Sequence, residues 1–147
     1  VGIMVAMGSC PQNKEVFDPI RRVWVEATPE EIVRQSLLLR MISELNYPRH
    51  LIAVEKELSS LHHLAEIKKE VPKRRLDIVC FDKRSHRPLL LIECKAIPLK
   101  KTMLPQLLGY NAFVKAPYIC LVNDTQIVFA GKNGQSSSLP RFETLVC

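Results

Sequence analysis

Two apolar runs joined by a short polar break constrain the fold of this 147-residue chain more than any other feature. The first reads Arg75-Leu76-Asp77-Ile78-Val79-Cys80-Phe81. The second reads Leu89-Leu90-Leu91-Ile92-Glu93-Cys94-Lys95-Ala96, and residues 82–88 between them form the break. Runs of this length, rich in Ile, Val and Leu and bounded by turn-forming residues, predict an antiparallel strand pair. Yet Asp77, Glu93 and Lys95 sit inside them. Ionisable groups within hydrophobic strands cost desolvation free energy unless they are paired or hold an ion. These three need a partner.

Side chains alternate faces along a strand, so Glu93 and Lys95 share a face, roughly 7 Å apart, while Cys94 points to the other. Opposed residues of an antiparallel hairpin keep a constant index sum. With the break centred at Ser85 or His86, that sum is roughly 170 to 171 and sets Asp77 opposite Glu93 or Cys94. One register places the two carboxylates side by side with the lysine adjacent, and the other splits them. Spacing leaves both open.

Helices and strands surround this pair. Thr28-Pro29-Glu30-Glu31 has the form of a capping box, with Thr at the N-cap and Pro at the first helical position. Ile32, Val33, Leu37, Leu38, Met41, Ile42 and Leu45 continue at helical spacing until Asn46-Tyr47-Pro48 ends the helix. Leu51–Leu58 alternates as a strand whose Glu55 and Glu57 share one face, as a solvated edge or as an extension of the acidic site, and 59–70 reads as a loop or short amphipathic helix. Thr102–Val114 predicts a second helix, with Pro105 in its first turn and Leu104, Leu107, Leu108 and Phe113 on its apolar side. Tyr118–Asn123 and Gln126–Ala130 predict two strands joined by a tight turn. The outcome is a single domain with a core over about 28–130. An N-terminal extension, 1–27, holds at most a short edge strand within Val16–Glu26, and a C-terminal tail, 131–147, reads as loop.

Composition narrows the setting. Apolar content of 47% with 24% charged residues is that of an ordinary globular domain, and no apolar run approaches the eighteen residues of a membrane span. Val1–Met7 is apolar but short and has no basic leader, unlike a signal peptide. The net charge of +6 suits a polyanionic partner. Five cysteines, odd in number and without Cys-x-x-Cys spacing, predict free thiols in a cytoplasmic setting, with Cys80, Cys94 and Cys120 as small buried hydrophobes in strands.

Two carboxylates held close repel each other. A hard divalent cation removes the conflict, since Mg²⁺ takes one or two carboxylates and completes its shell with water and phosphate oxygens. Such an ion polarises a phosphodiester and lowers the pKa of an attacking water. A neighbouring lysine can orient that water or steady the developing charge.

At this point the chain resembles a known family. Asp77…Glu93-Cys94-Lys95 is similar to the PD-(D/E)XK nuclease signature, and the helix–strand–strand–strand–helix–strand order resembles that superfamily's core. More narrowly, four stretches resemble the N-terminal nuclease domain of type I restriction enzyme R subunits. These are Glu31 with Arg34-Gln35, Arg75-Leu76-Asp77-Ile78-Val79, Glu93-Cys94-Lys95-Ala96 and Gln106-Leu107-Leu108-Gly109-Tyr110-Asn111. The resemblance spans roughly 28–130. It implies an α/β fold, a three-layer restriction-endonuclease-like core whose mixed central sheet is flanked by helices.

By the same resemblance the domain would hydrolyse DNA with Mg²⁺ or Mn²⁺. Asp77 and Glu93 would hold the metal, Lys95 would be the catalytic lysine and Glu31 would assist. Gln106 and Tyr110, four apart on one helix face, would contact the DNA backbone. Arg34, Gln35, Lys73, Arg74 and Arg75 are further DNA-contact candidates. A second copy of the chain, or a helicase or translocase, is the protein partner implied. Leu76 stands where the superfamily's name has proline. The chain has no Gly-x-x-x-x-Gly-Lys-Ser/Thr phosphate loop, so ATP-driven translocation is not expected of it alone.

Blander readings stand beside these. Asp77, Glu93 and Lys95 could form a cross-strand charge cluster on a solvated face, or the fold could bind DNA without cutting it. The capping box already accounts for Glu31, and packing could account for Tyr110. His62-His63 lacks a second pair at zinc spacing. Lys68-Lys69, Lys83-Arg84 and Lys100-Lys101 are either plain solvated runs or a phosphate-contacting rim.

Overall fold

Thr28 opens helix α1 (Pro29–Ser43): its backbone is extended and its hydroxyl accepts the Glu31 N–H at 3.1 Å. The reciprocal half of the capping box does not form. Glu31 turns its carboxylate to Arg21, Arg34 and Gln35, while the Thr28 N–H goes to the Glu26 carbonyl. The computed structural model describes residues 14–146, and the expectations for Val1–Met7, Cys10 and Cys147 lie outside them.

Six strands form one mixed sheet in sequence order: β3 (Ile52–Glu57), β4 (Arg75–Phe81), β5 (Pro88–Cys94), β6 (Tyr118–Val122), β7 (Ile127–Gly131) and β8 (Gly134–Ser136). Neighbours are antiparallel except β5 and β6, which run parallel. A parallel pair needs a crossover, and helix α2 (Met103–Val114) supplies it. Lys115, in the left-handed conformation, ends α2.

Strand alternation sorts the apolar side chains into two cores. Ile78, Cys80, Leu90, Ile92, Cys94 and Cys120 pack with Val33, Leu37, Leu38 and Met41 of α1. Val79, Leu91, Ile119 and Leu121 pack with Met103, Leu107 and Val114 of α2, joined by Leu58, Leu61 and Leu64. The sheet is therefore the middle of three layers. This is an α/β domain with a mixed six-stranded central sheet flanked by helices, the form of a restriction-endonuclease-like core. Cys80, Cys94 and Cys120 are free and buried, and burial pushes the Cys80 and Cys120 thiols up to about 12.

Three segments differ from expectation. The N-terminal edge strand is a separate antiparallel hairpin, β1 (Glu15–Asp18) with β2 (Val23–Glu26). Residues 59–70 fall in 3₁₀ turns, Leu58–Ser60 and His62–Glu70, rather than a regular amphipathic helix. The tail is structured: β8 pairs with β7, and short helix α3 (Phe142–Leu145) docks on the α1 core through Leu139, Phe142 and Leu145. Tyr47 anchors it, edge-on to Phe142 at 5.5 Å, with its hydroxyl donating to the Pro140 carbonyl at 2.7 Å.

Candidate active site

The site lies where the β4–β5 ladder gives out. Observed partners Ile78↔Ile92, Val79↔Leu91 and Cys80↔Leu90 share an index sum of 170, so the register is the one that sets Asp77 opposite Glu93. Past Ile78 a side chain replaces the backbone ladder: the Cys94 N–H donates to Asp77 Oδ2 at 2.7 Å. Alternation along β4 breaks at the same point. Leu76 packs with the α2 core although Ile78, two residues on, belongs to the α1 core. On the far side, Glu55 has φ +57°, a left-handed conformation in the middle of β3 that a bulky residue rarely adopts. The ladder pairs Val54 with Ile78 and Lys56 with Leu76, leaving Glu55 and Asp77 as the irregular step between them.

Asp77 is held from the α1 side by Arg34. One guanidinium nitrogen of Arg34 reaches both Asp77 Oδ1 (3.1 Å) and Glu55 Oε1 (3.0 Å), and another reaches Glu31 Oε1 (3.2 Å). Arg34 is 5% exposed. Burial alone would depress its pKa, but the charges of Asp77, Glu31 and Glu55 more than offset this and raise it. The network runs on through Gln35, whose amide donates to Glu31 and to Asp18 of the hairpin, and through Arg21, which bridges Asp18 and Glu31. Burial would raise the pKa of Asp18, yet bonds from Arg21, Gln35 and Ile20 leave it lowered. Asp77 goes the other way. Burial and then the charge of Glu93 push its carboxyl up to about 6, against the pull of the Cys94 N–H and Arg34.

Glu93 has its own arginine. Arg74 donates to Glu93 Oε2 at 2.7 Å, and Lys95 Nζ lies 3.4 Å from the same oxygen. The Arg74 guanidinium sits 4.0 Å over the centroid of the Tyr110 ring, a cation–π contact that ties β4's entry to α2. Arg74, Glu93 and Lys95 line one wall of a cleft of about 310 Å³, and Met103, Gln106 and Tyr110 of α2 line the other. Gln106 is exposed at its rim. Lys73 and Arg75, either side of Arg74, point to solvent.

The structure thus brings Asp77, Glu93 and Lys95 to one place and connects Glu31 to them through Arg34. Gln106 and Tyr110 lie on the cleft beside Glu93. Arg34 and Gln35 are buried and bonded to carboxylates, rather than displayed on the surface. Of the two readings of the Glu55–Glu57 face, Glu55 follows the acidic-site one: its side chain is 30% exposed and joins the Arg34 cluster, whereas Glu57 is half exposed with only a loose contact to Arg75. Asp18 and Arg21 carried no functional sequence signal: their mutual contact is a local turn, and their links to Glu31 and Gln35 come only with the packing of the hairpin on α1.

Asp77 and Glu93, opposite in register where the ladder ends, are oxygen donors of the kind that a hard cation bringing its own water takes. Among the described residues no three His, Cys, Asp or Glu side chains converge as an all-protein cage. Both carboxylates also have arginine partners, so a cation must compete with Arg34 and Arg74 for them.

Fold and site together define a class: a small three-layer α/β domain with two acids and a lysine at an opened hairpin, beside a basic cleft. The family model for the type I restriction enzyme R protein N terminus (HSDR_N) matches residues 29–145, and the chain belongs to that family. No curated protein and no solved structure matches it. Among the described residues no helix is long and apolar enough to cross a membrane.

Proposed function

We propose that the domain is a Mg²⁺-dependent DNA nuclease of PD-(D/E)XK type that hydrolyses phosphodiester bonds at the Asp77–Glu93–Lys95 site. The observation that carries this reading is the register of β4 and β5, which sets the two acids opposite each other where the ladder opens, with Lys95 3.4 Å from Glu93. Asp77 and Glu93 would hold the metal, Mn²⁺ serving as an alternative. When bound there, the ion supplies Lewis acidity toward the phosphodiester and acidifies an attacking water. Lys95, a quarter exposed and 3.4 Å from Glu93, would orient a water and balance charge gathering on the phosphate. Arg34 fixes the orientation of Asp77, and Glu31 acts through Arg34. Lys73, Arg75 and Gln106 are exposed near the cleft, where phosphates of a bound strand would pass.

DNA is the substrate and main partner in this reading. A translocase on the same or another chain, or a second copy, would supply processivity and specificity, in the cytoplasm. The test is cleavage of supercoiled plasmid with Mg²⁺ or Mn²⁺. Cutting by the wild type is expected to fall by at least about a hundredfold in Lys95→Ala and in Asp77→Ala. Cutting that persists in both variants overturns the assignment.

A second reading, a DNA-binding module that does not cut, is favoured by one specific observation. Each acid already has an arginine partner, 3.1 Å for Asp77 and 2.7 Å for Glu93. DNA binding without cleavage by the wild type in either metal would establish it.

A further inference from the structure

We propose that Arg21 of the β1–β2 hairpin is a positioning residue for the cleavage site: by taking part of the charge of Glu31, it sets how firmly Arg34 holds Asp77. The link to cleavage rests on the nuclease reading, whereas the coupling of Arg21 to Asp77 stands on the geometry alone. Arg21 and its anchor Asp18 lie outside residues 29–145, the stretch that the family model matches.

The hairpin is fastened more by charge than by apolar packing. Of its strand residues only Val16 buries an apolar side chain, and Phe17, Val23 and Trp24 are exposed. Two short strands alone are marginal in water. The group that enters the fold is Asp18, which is 0% exposed. It accepts the backbone N–H groups of Ile20 and Arg21, the Arg21 Nε–H at 2.7 Å and the Gln35 amide at 2.9 Å. Stability is a weak reason for such an arrangement, because apolar residues in place of a buried ion pair are often as stable or more so. Gln35 is arranged at a similar cost. The two carboxylates it faces only accept, so its amide nitrogen serves both, and its buried Oε1 has no partner. What these costs maintain is the placing of Glu31.

Glu31 is divided between two arginines. Its Oε2 takes Arg21 at 3.0 Å and Gln35 at 2.9 Å, and its Oε1 is the nearer oxygen to Arg34, at 3.2 Å against 3.5 Å. The other terminal nitrogen of Arg34 is divided in turn between Glu55 at 3.0 Å and Asp77 at 3.1 Å. One guanidinium thus serves three carboxylates, and a stronger bond to one weakens its hold on the others. With Arg21 in place, part of the Glu31 charge is already met and Arg34 stays on Asp77. Without Arg21, Glu31 draws Arg34 toward itself, and Asp77 loses the donor that orients it. The relay runs inward, from a side chain 26% exposed at Arg21 to one 6% exposed at Arg34, where solvent screens least.

The experiment is a double-mutant cycle on the whole, metal-free chain, read by urea denaturation at physiological salt, where charges that share no contact are largely screened. Arg21→Gln removes the outer charge, and Asp77→Asn removes the charge that Arg34 holds. Asp77→Asn is expected to be better tolerated in the Arg21→Gln background than in the wild type, by at least about threefold in the unfolding equilibrium constant. The same cycle carried out with Glu31→Gln should show no coupling. In plasmid cleavage, Arg21→Gln should lower kcat about tenfold and leave KM within about twofold, because a metal-holding acid loses its orientation while DNA contacts stay. A merely structural role would lower stability without that split.

Additive effects of Arg21→Gln and Asp77→Asn overturn the proposal, and so does a coupling that persists with Glu31→Gln. An unchanged kcat in a folded Arg21→Gln protein overturns the positioning role. Should Arg21→Gln fail to fold, Arg21→Lys, which leaves one cation for Asp18 and Glu31 to share, takes its place in the cycle under the same criteria. A wild type that does not cut sinks the nuclease reading, and the cycle still decides whether Arg21 sets the hold on Asp77.

Discussion

Asp77 is worse off as a carboxylate in the folded protein than in the unfolded chain. Its pKa rises from 3.8 to about 6, because burial and Glu93 outweigh the Cys94 N–H and Arg34. Between these values the folded state keeps a proton that the unfolded state has released, so stability falls as pH rises through the window and levels off above it. The shift corresponds to about 3 kcal/mol as an upper figure. Urea unfolding of the metal-free protein between pH 4 and 7 should show this fall, and Asp77→Asn should remove that part of the slope. The absolute stability of the variant is a separate matter, since Asn offers only one acceptor where Asp77 uses two, for Arg34 and for Cys94. A wild type and a variant with the same pH slope would refute the shifted titration. The same chemistry makes a divalent ion, which needs the ionised acid, bind more tightly as pH rises through about 6.

At the scale of elements, the informative object is the irregular step between β3 and β4. A left-handed glutamate inside a strand costs of order 1 kcal/mol, and here it coincides with the break in alternation at Asp77 and with the carboxylate that shares a nitrogen of Arg34. Glycine tolerates that conformation and a β-branched residue does not. Glu55→Gly should therefore be more stable than Glu55→Val by at least about 1 kcal/mol in chemical denaturation, although both lose the same ion pair. Equal stabilities would mean that the backbone relaxes freely.

Such a step was not legible in the sequence, because period-2 alternation over Leu51–Leu58 looks the same with or without one twisted residue. The order of helices and strands was legible, as was the placing of Asp77 at the Glu93–Cys94 step, because both rest on periodicity and turn length. The arginine partners were not: Arg34 meets Asp77 across forty-three positions, a contact that only the packed sheet creates. The tail was not legible either, because Leu139, Phe142 and Leu145 are three scattered apolar residues whose partners are in the α1 core.

The whole molecule carries a net charge of +6, yet acids and arginines alternate from Asp18 through Arg21, Glu31 and Arg34 to Asp77, and a second cluster joins Glu93 to Arg74 and Lys95. The arginines of the two clusters differ in exposure. Arg34 is sealed in, whereas the side chain of Arg74 is 28% exposed and sits between solvent-facing Lys73 and Arg75. A phosphate arriving at the cleft would compete with Glu93 for Arg74 and release the acid for a cation. Metal and DNA would then favour each other, and that coupling must be reciprocal.

Arg74→Met separates the two sides of the exchange. Isothermal titration of the DNA-free protein with Mn²⁺ should show tighter binding than in the wild type, by about tenfold if the ion pair contributes about 1.4 kcal/mol. DNA affinity should fall at the same time, and the slope of log K against log salt should shrink by about 0.7 to 0.9, the share of one phosphate contact. Unchanged or weaker Mn²⁺ binding in the variant would show that Arg74 does not hold Glu93 against the metal. An unchanged salt slope would show that its charge never reaches a phosphate.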